Sequence, residues 1–278
     1  NFADAYNNKG NALKDLKRYD EALSNYEKVV KLKLDFDYIL GKVLHTNMIL
    51  CSWNNFDSLS KKISKALNKN SKVIEPFSFL GLIDNPGASK LSSEIFVKDK
   101  IVKPSTIKPL AKYKNHKKPR IGYYSADFCD HAVLHLMMDV FRNHNKSLFD
   151  FFGFSFGPDK NDKWRNEVKN YFIKFEDVTK ISDKEVADLS RKLEIDIAID
   201  LTAFTSNSRS GIFSYRAAPI QINYLGYPGT MGAEYIDYII ADEVIIPKEN
   251  FNYYSEKVLY LPDCYQANMS QKNISKKQ

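Results

Sequence analysis

The stretch Arg120-Ile121-Gly122-Tyr123-Tyr124-Ser125-Ala126-Asp127-Phe128-Cys129-Asp130-His131 followed by Ala132-Val133-Leu134-His135-Leu136-Met137-Met138 decides the fold. Its first six residues form a short apolar run, the texture of a strand covered on both faces. From Ala132 to Phe141 the apolar residues recur at helical spacing. A strand joined by a short polar turn to an amphipathic helix is the opening of a βα unit. The alternation continues with expected strands at 149–156, near Phe175, at 195–201, 220–225 and 236–241. Helices are expected between them at 162–171, to Leu193 from a capping box at Ser182-Asp183-Lys184-Glu185, and near 210–216. Strands alternating with helices predict an α/β Rossmann-like parallel sheet. The β-branched run Ile195-Asp196-Ile197-Ala198-Ile199 fits a strand buried on both sides.

Upstream the texture is helical throughout. Tyr6, Gly10, Leu13, Tyr19, Ala22 and Tyr26 place small and aromatic residues at helical spacing, which predicts two helices packed as a hairpin of the tetratricopeptide (TPR) kind. Gly10 and Ala22 let the backbones approach while the tyrosines fill the groove. The segment from Ile39 to Ile63, with Trp53 and Phe56, reads as a helical cap. Past Asp84 come Pro86, Gly87, Pro104, Pro109 and many lysines, which read as a linker. The expected organisation is therefore a helical region over 1–83, a linker over 84–118 and an α/β domain over 119–278.

The chain has 278 residues, 44% hydrophobic and 27% charged, which suits about two globular domains and excludes wholesale disorder. No apolar run reaches the roughly 20 residues of a membrane helix, so no membrane partner is expected. The opening Asn1-Phe2-Ala3-Asp4 has neither an initiator Met nor a signal pattern and reads as a truncation point. Cys51, Cys129 and Cys264 are odd in number and scattered, which argues against a disulfide framework and points to a reducing, cytoplasmic setting. The net charge of +7 is densest at Lys112, Lys114, Lys117, Lys118 and Arg120. Made mostly of lysine with little arginine, this reads as a basic linker, and no nucleic-acid partner is expected.

In an open parallel sheet, ligands bind beyond the carboxyl ends of the strands. The polar and turn-forming residues of this chain collect there, after the first strand (Ser125 to His131), after the fourth (Thr202 to Arg209) and after the fifth (Gly226 to Gly232). Asp127 and His131 flank a strand-to-helix turn, a place suited to acid/base work or to an anion near a helix start. His135 lies one turn further on, in a stripe expected to face the core. The turn Tyr227-Pro228-Gly229-Thr230 offers backbone N–H groups to an oxygen-rich ligand. There is no Walker loop and no Gly-x-Gly-x-x-Gly fingerprint. The only Asp-x-Asp, Asp35-Phe36-Asp37, falls between helices, so no metal site is expected.

These segments, with Arg216-Ala217-Ala218-Pro219-Ile220-Gln221, Leu225 to Gly232, Asp237 to Asp242, and Tyr254-Ser255-Glu256-Lys257 before Tyr260-Leu261-Pro262, resemble in order the amino-terminal catalytic lobe of the O-GlcNAc transferase family, SPINDLY-like members included. The preceding helical repeat is also what that family carries. The resemblance implies one half of a two-lobed, GT-B type, inverting and metal-independent glycosyltransferase. It implies a nucleotide-sugar donor such as UDP-GlcNAc, no cofactor, and acceptor proteins or peptides met through the TPR region. It places Asp127 and His131 at the reaction centre. Phe204, Thr205, Arg209 and the loop Leu225, Gly226, Tyr227, Pro228, Gly229 and Thr230 would shape the acceptor and sugar pocket. Two departures stand out: Thr202-Ala203-Phe204-Thr205 replaces a segment with Gly and Tyr, and Ala132 follows His131 where animal members have Pro. The chain also stops at Gln278, before a donor-binding lobe, so this fragment by itself is expected not to transfer sugar. A non-catalytic, peptide-binding TPR module is the alternative reading.

Overall fold

The computed structural model describes residues 2–105, 110, 113 and 116–270. Lys112 and Lys114 of the basic cluster, Pro109 of the expected linker, and the polar end at 271–278 lie outside them. The chain divides into two compact units, residues 1–100 and 101–278.

The first unit is all helix. Helices α1 (Phe2–Asp15) and α2 (Tyr19–Leu32) form the hairpin expected from their spacing. Tyr26 and Ala22 are fully buried, and Tyr26 donates its hydroxyl to Asn11 Oδ1 at 3.0 Å. A Cβ on Gly10 would lie 2.5 Å from the Tyr26 ring, so glycine is what lets the two helices touch. The cap is two helices, α3 (Ile39–Ile49) and α4 (Phe56–Leu67), separated at Cys51 in the left-handed region (φ 54°). After the short α5 (Pro76–Leu80), helix α6 (Pro86–Lys100) occupies the stretch expected to be linker. The unit therefore runs past residue 83 to Lys100. Pro86 and Gly87, which suggest a turn, instead stand at a helix start: proline suits the first helical position because it has no N–H to leave unpaired. Asn85 Oδ1 accepts from Ala88 N at 2.9 Å, and Leu91 and Ile95 pack onto the core around Leu44, Ile63 and Phe79.

The second unit is one sheet with helices between its strands. In chain order come β1 (Arg120–Ser125), α7 (Ala132–Arg142), β2 (Asp150–Ser155), α8 (Lys163–Val168), β3 (Lys174–Asp177), α9 (Asp183–Lys192), β4 (Ile197–Asp200), α10 (Gly211–Ser214), β5 (Ile220–Asn223), β6 (Tyr238–Ala241) and β7 (Lys257–Tyr260). The strands lie side by side as β3-β2-β1-β4-β5-β6-β7, every pair parallel. Ile121 pairs with Ile197 and Tyr124 with Asp200, so β1 and β4 meet where the chain order reverses. The expected capping box opens α9: Ser182 N donates to Glu185 Oε2 at 2.7 Å and Ser182 Oγ accepts from Glu185 N at 3.3 Å. One layer of the core joins Phe128, Leu134, Met138 and Phe141 to Ile199 and Ile222, and on the other face Tyr124 stacks on Phe154 at 4.4 Å. β7 has no counterpart in the expected strand pattern. No helix among the described residues is long and apolar enough to cross a membrane.

Candidate active site

All the polar loops of interest leave the same edge of the sheet, the carboxyl ends of β1, β4 and β5. Three contacts bring them together. Ala126 N donates to Thr202 Oγ1 at 3.0 Å, joining the β1 and β4 loops. Gly226 sits on the β4 loop so closely that a Cβ there would be 2.2 Å from the Leu201 carbonyl oxygen. Phe204 meets Tyr227 edge to face, centroids 5.2 Å apart.

Asp127 and His131 stand at the mouth of this cluster. Asp127 N donates to Ser125 Oγ at 2.9 Å, which fixes the turn. His131 is the N-cap of α7: its Nδ1 accepts from Val133 N at 3.3 Å, which leaves the ring proton on Nε2 in the neutral form. The imidazole is 44% exposed, and Nδ1 lies 3.6 Å from Asp127 Oδ1. Burial pushes the Asp127 carboxyl above its ordinary range, opposed by His131 and Lys160. A half-buried carboxylate with a raised pKa beside an imidazole has the attributes of a general base.

The remaining expected site residues divide into two groups. Thr205 borders the cluster, half-buried, with its hydroxyl on the Thr202 carbonyl at 2.8 Å. Leu225, Gly226, Tyr227, Pro228 and Gly229 form a tight loop tied down by Asn223, whose Nδ2 donates to the carbonyls of Tyr227 (3.0 Å) and Gly229 (3.4 Å). Arg209, by contrast, points into its own domain. It donates to Asp183 Oδ1 (2.7 Å), Val178 O (2.8 Å) and Ile181 O (2.7 Å), holding the entry to α9. Thr230 is buried as well: its Oγ1 donates to Glu256 Oε2 at 2.7 Å, while Met231 N donates to Glu256 Oε1 at 2.6 Å. These side chains shape the loops from behind and do not face the crevice.

His135, expected in the core, is instead near the surface, with Nε2 2.7 Å from Asp130 Oδ1 and its ring 4.4 Å from Trp164. The buried face of α7 is Leu134, Met137, Met138 and Phe141. His135 lies beside that stripe. Among the described residues no group of three or more His, Cys, Asp or Glu is placed to hold a metal ion.

Sequence reasoning missed two buried carboxyls. Glu256 was visible only as part of a motif, and Asp200 as a polar residue ending an apolar strand. Burial pushes the Asp200 carboxyl up to about 6, and its Oδ1 accepts from Thr202 N and Ala203 N at 2.9 Å each. Ala203 (φ 47°) and Leu225 (φ 74°) are both left-handed without being glycine, so the loops after β4 and β5 carry backbone strain. The chain departs from the Gly-containing pattern at Ala203 yet keeps the conformation a glycine would favour.

Thr202 connects two of these loops, which makes it testable. Thr202→Val keeps the shape but leaves the Ala126 N–H without an acceptor. The expected cost is about 1 to 3 kcal/mol, read as faster hydrogen exchange over 125–131 with the sheet unaffected.

Comparison with known proteins agrees with this architecture. The family model described as "Glycosyl transferase family 41" matches residues 90–274, and a tetratricopeptide repeat model matches residues 3–36. The chain is 31% identical over 248 residues to the probable UDP-N-acetylglucosamine--peptide N-acetylglucosaminyltransferase SEC of Arabidopsis thaliana, an alignment covering 83% of this chain and 25% of that protein. It is 30% identical over 236 residues to the UDP-N-acetylglucosamine--peptide N-acetylglucosaminyltransferase of Caenorhabditis elegans, covering 78% and 20%. The chain thus spans a quarter or less of the length of these relatives. A solved structure of a mutant O-GlcNAc transferase from Thermobaculum terrenum superposes with a TM-score of 0.71 at 21% identity, over 95% of this chain and 51% of that one, which shows the shared fold.

Proposed function

Because the chain belongs to glycosyl transferase family 41, we propose that it supplies the acceptor-side lobe and part of the TPR region of a cytoplasmic protein O-glycosyltransferase. The reaction moves GlcNAc from UDP-GlcNAc onto Ser or Thr hydroxyls, with inversion and without a metal. The observation that carries this reading is Asp127, a carboxyl raised by burial beside His131 at the carboxyl end of the first strand of a parallel sheet.

In the proposed step the acceptor hydroxyl oxygen bonds to the anomeric carbon as the bond from that carbon to the diphosphate oxygen breaks. Asp127 takes the hydroxyl proton, and UDP leaves with the electron pair. His131, with its Nε2–H outward at the start of α7, donates toward the diphosphate side. Thr205 and the Leu225 to Gly229 loop border the acceptor and sugar. Arg209 and Thr230 support those loops from within. Two lobes are needed to hold both substrates in attack geometry, an effect that can contribute about 7 to 11 kcal/mol. The helical unit is the surface expected to receive acceptor proteins.

The test is transfer of labelled UDP-GlcNAc to a Ser/Thr peptide by the transferase that carries this chain, with the product anomer read by NMR and a chelator arm. Transfer with inversion, unchanged by chelator, is the expected result. Retention, or loss of turnover with chelator, would overturn it.

A further inference from the structure

Three buried polar atoms close to the crevice floor have no hydrogen-bond partner among the described residues: Asp200 Oδ2, Asn223 Oδ1 and the Tyr235 hydroxyl. Buried polar groups are almost always paired, so each orphan calls for an explanation. Asp200 and Asn223 are register partners on β4 and β5, and registered residues of parallel strands present their side chains on the same face. The Asn223 amide is oriented by its own bonds. Nδ2 must face the Tyr227 and Gly229 carbonyls, so Oδ1 faces away from them. Two acceptor oxygens thus stand as cross-strand neighbours in a site closed to water. A proton between them would satisfy both.

We propose that Asp200 is a positioning residue for the crevice, its Oδ2 carrying a proton to Asn223 Oδ1 and so locking the loops after β1, β4 and β5 into one arrangement. The links on either side of that proton are hydrogen bonds of the fold. Asp200 Oδ1 holds the N–H groups of Thr202 and Ala203, and Thr202 Oγ1 holds Ala126 N, next to Asp127. The Thr202 carbonyl accepts both the backbone N–H (3.2 Å) and the hydroxyl of Thr205. Asn223 holds the loop after β5. Protonation of one carboxyl therefore couples the base-bearing loop to both walls of the acceptor pocket.

The surroundings favour that proton. Asp200 is fully buried, and only its two backbone N–H donors oppose the upward push. The other ionisable groups facing this region are phenols and one carboxyl. Tyr124 on β1 pairs its hydroxyl with Ser190, Tyr235 is raised by burial and by Asp200 and Glu256, and Glu256 is itself raised by burial. The sign follows: the folded state binds the proton more tightly than the open state, so the lock weakens as pH rises from 3.8 through about 6. That difference of about two pH units corresponds to about a hundredfold in the local closing equilibrium.

Asp200→Asn is the decisive variant. Its Oδ1 can keep both backbone N–H groups while its Nδ2 donates permanently to Asn223 Oδ1. Hydrogen exchange of the 278-residue chain, corrected for intrinsic rates, would be followed over 125–131, 202–209 and 225–231 between pH 4.5 and 8. Wild type should lose protection in all three segments together as pH rises, by about thirtyfold across this window, the part of the full linkage that lies above pH 4.5. Asp200→Asn should hold high protection at every pH, and Asp200→Ala should show the lowest, with the sheet strands still protected in all three. The same pH dependence in wild type and Asp200→Asn, or Asp200→Asn as open as Asp200→Ala, would overturn the proposal. The inference rests on the proposed function only in calling the crevice a substrate site. Exchange is read without substrate, so an inactive transferase with the pH-coupled lock intact would refute that function and leave the lock standing.

Discussion

Replacing Asp127 by Asn is expected to lower kcat of the transferase by about a hundredfold or more, the scale of a lost general base. Two features of the structure make this the sharpest chemical test. Asp127 N, not its carboxylate, ties the turn to Ser125 Oγ, so the amide side chain leaves the backbone in place. Burial already disfavours the charged form, so removing the charge should leave stability unchanged or slightly raised. A steep fall in kcat with an unchanged melting temperature is therefore the expected pair of results. The raised carboxyl also fixes the direction of the pH profile: the acid limb of kcat/KM should lie above the ordinary aspartate range, because the base must be ionised to act. His131→Ala should lower kcat on a similar scale, with a further stability loss of about 1 kcal/mol because Val133 N loses its cap. Wild-type turnover by Asp127→Asn would return this carboxyl to a structural role.

A large structural effect is expected from Gly226→Ala. The added carbon would stand 2.2 Å from the Leu201 carbonyl oxygen and 3.2 Å from Thr202 Cα, both backbone atoms that cannot swing aside. One loop must then separate from the other. Overpacking of this kind costs about 2 to 3 kcal/mol, a fall of roughly 5 to 10 °C in Tm for a unit of this size. Activity should fall further than stability, since the loop after β5 and the turn holding Thr205 move apart. Gly81→Ala is the control: its added carbon meets nothing nearer than Met48 Cε at 3.5 Å, and its effect should stay within about 0.5 kcal/mol. Differential scanning calorimetry of the two variants decides the matter. Equal, small shifts would show that the crevice loops are looser than their contacts imply.

The amino-acid sequence by itself determined the periodic features. The 3.6-residue spacing of Tyr6, Gly10, Leu13, Ala22 and Tyr26 specified the helical hairpin. The two-sided apolar runs around Tyr124 and Ile199 specified parallel strands, and Ser182 with Glu185 specified the start of α9. Each is a local rule that any neighbour in space must respect, and the strand ends that follow also told where Asp127 and His131 stand. Tertiary structure decided the rest. Pro86-Gly87 signals a turn and a helix start equally well, and only the apolar surface offered to Leu91 and Ile95 selects the helix. Arg209 and Thr230 carry no mark that separates a ligand-facing side chain from one facing Asp183 or Glu256, partners 26 residues away in sequence in each case. The burial of Asp200 opposite Asn223 is likewise a property of register between β4 and β5. Spacing along a chain cannot express it, because desolvation and pairing belong to groups that meet only when the sheet has formed.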